Sequence, residues 1–250
     1  MRKLDVHTHF GPWNSIPIGR SGADDLVDLM RGAETEKAIV SSVKALLADL
    51  VLGNQETRAA IERHEMLYGY IYLDPHRIAD SVREVERLAD HPKFVGVKSR
   101  DDYHGLPYNH RSYLEVFSSI RSLRLPALLH TFSVSSMRAA MELAAAYGAP
   151  VILTHLAGPD WRRCMALKEA EIPPNVYLDP VSSAAEPGRY ELAIELVGED
   201  RVVYGTDCTL FHPGVSIGAI ESSELTDEMK RKVYWENAER VFFPNVCEKA

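Results

Sequence analysis

The feature that most constrains the fold is an alternation: eight short apolar runs, separated mainly by stretches with helical periodicity. The runs are KLDVHTH (3–9), KAIVSSV (37–43), LYGYIYL (67–73), FVGVKS (94–99), LPALLHT (125–131), PVILTHL (150–156), NVYLDP (175–180) and RVVYGTD (201–207). Each has strand length, and most are bounded by Gly, Pro, Asn or Asp. Between them, GADDLVDLMRGAE (22–34) sets Leu26, Leu29 and Met30 on one face behind Asp24 and Asp25, as in an amphipathic helix with an acidic first turn. Segments 78–91, 112–123, 135–148, 189–198 and 226–242 behave alike. Gly148 and Gly198 stand where helix C-caps are expected.

Strand–helix alternation carried through a whole chain points to a parallel sheet with helical crossovers. Eight strands suit a single (β/α)8 barrel of the TIM type, whereas a doubly wound sheet usually has fewer. No Gly-rich dinucleotide or P-loop signature follows an early strand, which weakens a nucleotide-binding reading. With no linker, low-complexity tract or larger repeat, residues 1–250 read as one α/β domain.

The chain carries 28 basic against 36 acidic residues, a net charge of -8. It has no basic stripe, which argues against nucleic acid and anionic membrane surfaces as partners. No apolar run approaches the roughly 20 residues of a membrane span. Met1-Arg2-Lys3-Leu4 leads directly into polar Asp5, so no signal core is expected and the cytoplasm is the expected compartment. Cys164, Cys208 and Cys247 lack CxxC spacing and read as reduced thiols. A small-molecule substrate is the expected partner, with a homo-oligomer left open.

A barrel gathers its chemistry at the C-terminal ends of its strands, and the unusual residues fall there. His7 and His9 end the first run, Lys98 the fourth, His130 the fifth, His155 the sixth and Asp207 the eighth. Alternation places positions 5, 7 and 9 on one strand face. His7 and His9 then point into the barrel, where two unpaired imidazoles would be costly to bury. A divalent metal is the simplest shared partner; the bland alternative is a solvated pair on an edge strand, which the strand-end layer disfavours.

His130 follows an apolar run and could simply bond a backbone carbonyl in the core, but its place in that layer favours a ligand. His155 can ligate a second metal or act as a general acid or base. Asp207 could cap a turn, yet CTLFHPG is a poor helix start, so a ligand that also moves a proton is the better reading. Lys98 either snorkels to water or serves the site, as a substrate-anion contact or a carbamate bridging two metals. Arg100, His104 and Trp13 are candidates for the substrate rim. There is no GxSxG elbow and no catalytic cysteine signature, so a hydrolase here needs a metal to supply the nucleophile.

Taken together, DVHTHF, GVKS, LLHTF, LTHLAGP, VVYGTD and NAERVF (237–242) resemble the amidohydrolase superfamily over residues 4 to about 243. Within it the chain looks most like the amidohydrolase-related branch that includes aminocarboxymuconate semialdehyde decarboxylase and pyrone dicarboxylate lactonase. The resemblance implies a (β/α)8 barrel with one or two divalent metals, frequently zinc. It implies His7, His9, His130 and Asp207 as ligands of one ion, with His155 as the catalytic histidine beside it. In two-metal relatives His130 and His155 bind the second ion, and a carboxylated lysine at the place of Lys98 bridges the pair. The decarboxylase-like branch usually manages with one. KSRDDYHG departs from the usual segment after that lysine, so no substrate carries over.

The leading expectation is metal-dependent hydrolysis of an amide, ester or lactone. A zinc-type ion lowers the pKa of bound water toward roughly 7. Asp207 or His155 takes the proton, and Lys98 or Arg100 grips a substrate carboxylate. The alternative is non-oxidative decarboxylation of a small aromatic or dienoic acid by the same residues. A non-catalytic metal-binding scaffold is a third reading, disfavoured by the filled strand-end layer.

Overall fold

The computed structural model describes residues 1–14, 16–183 and 186–244, so Cys247 lies outside the described residues. Seven of the eight runs form strands: β1 (Leu4–Phe10), β2 (Lys37–Ser42), β3 (Leu67–Tyr72), β4 (Phe94–Arg100), β5 (Ala127–His130), β6 (Val151–Thr154) and β7 (Val176–Asp179). They pair in parallel and in chain order within one sheet. Helices Ala23–Gly32, Leu50–Arg63, Ile78–Leu88, Arg111–Ile120 and Val134–Tyr147 lie in the first five crossovers.

Local chemistry sets these boundaries. Asp49 and Ser133 start two helices by accepting the N–H groups of Leu52 and Ser136 at 2.8 and 3.1 Å, as N-caps do. Gly148 ends helix Val134–Tyr147 at φ 78°, a conformation open to glycine at little cost. Apolar periodicity does not predict helix Leu50–Arg63, whose buried face includes Gly53, Asn54 and Thr57. The β6–β7 crossover also differs from an amphipathic helix: within His155–Ala166 a non-helical kink at Leu156–Gly158 interrupts the 3-10 turns, and Pro159 follows it.

The expected eighth strand is an irregular segment. Leu178 pairs with Val202, and Thr8 with Cys208, as isolated parallel bridges. The Val203 N–H donates to Leu178 O at 2.9 Å, Val6 N–H to Tyr204 O at 3.0 Å and Asp207 N–H to His7 O at 2.8 Å. The segment therefore bonds both edge strands, but Asp207, at φ 55°, cannot continue an extended ladder. The described residues thus form a seven-stranded parallel α/β sheet with this segment between its edges.

Gly205 lets the segment pass the sheet closely: a Cβ there would lie 2.5 Å from Asp179 Oδ2. Gly205→Ala is expected to cost about 1–3 kcal/mol through overpacking, seen as a melting point lower by about 2–4 °C per kcal/mol. An unchanged melt would contradict this close approach.

The strand interiors make a dry floor. Leu4, Val6, Ile39, Tyr70, Leu128, Ile152 and Val203 form one apolar layer, packed against Trp235, Ala238, Val241 and Phe242 near the C-terminal end. Ile39 and Leu128 precede Ser41 and His130 by two residues, so they share a strand face with them. The polar strand ends therefore sit directly above buried hydrocarbon.

Strict alternation fails in β1, which corrects the expectation that residues 5, 7 and 9 simply share a face. Its register against β2 shifts between Asp5 and Thr8. Asp5 Oδ1 accepts the His7 N–H at 3.0 Å and the Thr206 N–H at 3.2 Å, while Oδ2 accepts the Thr206 hydroxyl at 2.6 Å. The bulge re-aims the strand: Val6 joins the dry floor while His7 and His9 reach the centre above it.

Candidate active site

Four strand-end residues converge. His7 Nε2 and His9 Nε2 each lie 3.5 Å from Asp207 Oδ1, and His155 Nε2 lies 4.0 Å from Asp207 Oδ2. His7, His155 and Asp207 offer ligand atoms within 4.8 Å of one another. Two donors bound at about 2.0–2.2 Å to a tetrahedral ion lie about 3.4 Å apart, so the separation of Asp207 Oδ1 from each of the two imidazole nitrogens fits a shared cation. His155 Nε2 and Asp207 Oδ1 are buried without a hydrogen-bond partner among the described residues, a costly state for polar atoms. Imidazole and carboxylate donors together suit a divalent transition-metal ion.

The far sides of two rings are held. His7 Nδ1 is 3.0 Å from Asp179 Oδ2, and His9 Nδ1 is 3.1 Å from Ser41 Oγ. These contacts turn each Nε2 toward Asp207, as outer partners do for metal-binding histidines. Lys98 is fully buried rather than snorkelling, with Nζ 2.9 Å from His9 Nε2. Its amine and a cation would compete for that nitrogen.

Burial holds His7, His9, His130 and His155 well below the ordinary histidine pKa. Lys98 adds to this for His7 and His9, His155 for His130, and Arg100 for His155. Neutral imidazole is the form that ligates a metal or accepts a proton. Burial also pushes Lys98 down to about 7, against the pull of Asp207, and raises Asp207 to about 6, against Lys98 and Arg100. Asp179 is raised well above its usual range, again by burial. Burial thus moves the Lys98 amine and the Asp207 carboxyl toward neutrality from opposite sides.

The other candidates take separate places. The His130 ring lies 4.3 Å from that of His155 between centroids. Its Nε2 is 3.1 Å from Arg100 Nη2, its Nδ1 is 3.4 Å from Asp102 Oδ1, and the residue groups with Asp101 and Asp102. Arg100 forms a two-point pair with Asp102 at 3.1 and 2.7 Å. Trp13 is buried with its ring edge-on to His9, 5.4 Å between centroids. His104 turns away to the Tyr72 hydroxyl at 3.1 Å and Asp74 at 3.5 Å. Cys164 and Cys208 are buried free thiols.

Asp179 and Ser41 are additions that the sequence reading passed over. Asp179 ends its run as Asp207 ends another, so the strand-end rule could have found it. A cavity of about 230 Å³ opens beside the centre, lined by His155, Asp207, Phe132, Phe211, Glu186 and Arg189. No helix among the described residues is long and apolar enough to cross a membrane.

The fold and these residues define an α/β protein with a buried strand-end cluster of imidazoles around one carboxylate. The model of the amidohydrolase family matches residues 4–243, and the chain belongs to that family. Among solved structures it is similar to a 2,6-dihydroxybenzoate decarboxylase from Rhizobium, at 15% identity and TM-score 0.74, covering 97% of this chain and 99% of that one. It is also similar to the 5-carboxyvanillate decarboxylase of Sphingomonas paucimobilis, at 14% identity and TM-score 0.77, covering 96% and 98%. A third is a dihydroxybenzoic acid decarboxylase from Polaromonas sp. JS666 with bound manganese and the inhibitor 2-nitroresorcinol, at 19% identity and TM-score 0.73, covering 97% of each. At such identities the likeness is one of fold. No curated protein matches the sequence.

Proposed function

We propose that this chain is a divalent-metal-dependent enzyme that decarboxylates a small aromatic carboxylic acid without oxidation, in one domain over residues 1–250. The observation that carries this reading is the cavity of about 230 Å³ beside Asp207 and His155, bordered by Phe132 and Phe211. Drug-sized ligands fill pockets of about 300–1,000 Å³, so this space suits a single ring, with aromatic neighbours to pack on it. The decarboxylase names of the three similar structures favour this reaction over hydrolysis of an amide, ester or lactone. Hydrolysis is the second reading, favoured by the family's name. Residues 202–209 then serve as the irregular eighth stave of a closed barrel.

His7, His9 and Asp207 would hold the ion, and His130 would join them on release from Arg100. One ion per chain is favoured because a single carboxylate, Asp207, faces the imidazole nitrogens of His7, His9 and His155. Zinc suits these nitrogen and oxygen donors, while manganese is the ion named for the Polaromonas protein. A bound ion would anchor and polarise the substrate carboxylate. His155 and Asp207 would deliver a proton to the ring carbon as its bond to the carboxylate breaks. The bonding electron pair stays on the ring, CO₂ leaves, and solvent returns the proton to the pair. Phe132 and Phe211 would flank the ring, and Arg100 would offer a guanidinium to a second anionic substituent.

The test is incubation of zinc- or manganese-loaded protein with 2,6-dihydroxybenzoate and 5-carboxyvanillate, measuring CO₂ and the decarboxylated arene. Equimolar release of both supports the proposal. Hydrolysis of amide, ester or lactone substrates without CO₂ release would instead establish the second reading. Asp179→Asn is expected to weaken metal binding about 10–100-fold by removing the carboxyl partner that fixes the His7 ring. Chelator competition checks this, and an unchanged affinity would contradict that role.

A further inference from the structure

After β6 the backbone does something unusual. His155, Leu156, Ala157 and Gly158 have φ of 70°, 47°, 61° and 59°. Three of the four carry a Cβ, and such residues avoid the left-handed region in succession. Gly158, with ψ -127°, lies where a side chain is strongly disfavoured. A turn of this kind persists only where its surroundings hold it.

The His155 ring bonds the Val181 backbone and packs edge-on to Phe132, 5.4 Å between centroids, while one side chain reaches both ends of the turn. Arg189, the first residue of helix Arg189–Val197, is 3% exposed. Its Nη2 donates to His155 O, and its Nη1 donates to Gly158 O at 3.1 Å. Its Nε donates to Pro180 O at 3.1 Å, and Glu186 Oε2 balances the charge at 2.9 Å from Nη1. Trp161 Nε1 donates to the other Glu186 oxygen at 3.2 Å. Both ends of the left-handed turn therefore rest on one buried guanidinium.

We infer that Arg189 is a positioning residue, fixing the turn that sets His155 Nε2 against Asp207. It acts through the backbone of His155, with its own donors committed to carbonyls and Glu186. The planar fork of a guanidinium can serve three carbonyls and a carboxylate at once, which a lysine ammonium cannot do with the same geometry. The inference rests on the proposed proton-transfer role of His155.

The experiment compares wild type, Arg189→Ala and Arg189→Lys as full chains, with and without bound zinc. The readouts are 15N-histidine NMR, with the His155 signal assigned through His155→Gln, together with kcat and KM. Both Arg189 variants are expected to shift the His155 signal while leaving those of His64 and His91 in place. With a turned-over substrate, kcat should fall about a hundredfold with KM little changed. Methylguanidine added to Arg189→Ala should restore both the signal and kcat. An unmoved His155 signal in both variants would overturn the inference. So would methylguanidine raising the melting point without restoring signal or rate, or loss of the native fold in both variants, which would assign Arg189 to general stability. Should wild type decarboxylate nothing, the NMR comparison still decides the inference, so its failure and that of the proposed reaction are told apart.

Discussion

Asp207→Asn at saturating metal is expected to lower kcat by about 10²–10⁴-fold, the usual contribution of a positioned acid or base. The carboxylate stands within 4.0 Å of all three facing imidazole nitrogens, on His7, His9 and His155. In the proposed reaction it serves both the ion and the proton, and an amide can do neither equally well. KM should change far less, because the proton moves in the transition state rather than on binding. The fold should survive: Asp207 sits at φ 55°, a conformation asparagine tolerates well. Steady-state kinetics beside a melting curve checks this. A variant with native kcat would remove Asp207 from the chemistry.

The second large effect concerns Asp5 and pH. Burial raises its carboxyl from 3.8 to about 7, against the hydrogen bonds from Thr206 and the His7 N–H. Between those values the folded chain keeps a proton that the unfolded chain has released, so stability falls as pH rises across that window. At about 1.4 kcal/mol per unit, metal-free wild type loses on the order of 4 kcal/mol over it, a loss that Asp5→Asn escapes. Below the window both side chains are neutral, and the difference between the proteins stops changing with pH. Denaturant titrations of the two proteins at pH 4.5 and pH 8 measure the change. A constant gap between them would show that Asp5 is not buried as an acid.

The barrel-like alternation was legible because burial imprints itself locally: each strand is a short apolar run, and each polar strand end interrupts one. The same rule drew His7, His9, His155 and Asp207 out of the sequence before any contact was known. What stayed hidden depends on distant partners. The β1 bulge is pinned by Thr206, which lies 201 residues from Asp5. The left-handed turn at His155 is held by Arg189, a helix residue with no strand-end signal. His130 looked equivalent to the other histidines, yet Arg100, the last residue of β4, meets its Nε2 at 3.1 Å, and Asp102, just past the strand, lies 3.4 Å from its Nδ1. The eighth run carries a strand's composition, but the left-handed backbone at Asp207 denies it a regular ladder.

The most direct test of a metal-dependent centre is metal content per chain, measured on protein loaded with zinc or manganese and dialysed, for wild type and His7→Ala. The expected result is about one ion per wild-type chain, the number given by one set of ligand atoms around one carboxylate, and a fall toward zero in His7→Ala. Wild type that retains no ion after loading, or His7→Ala that keeps the full complement, would contradict it.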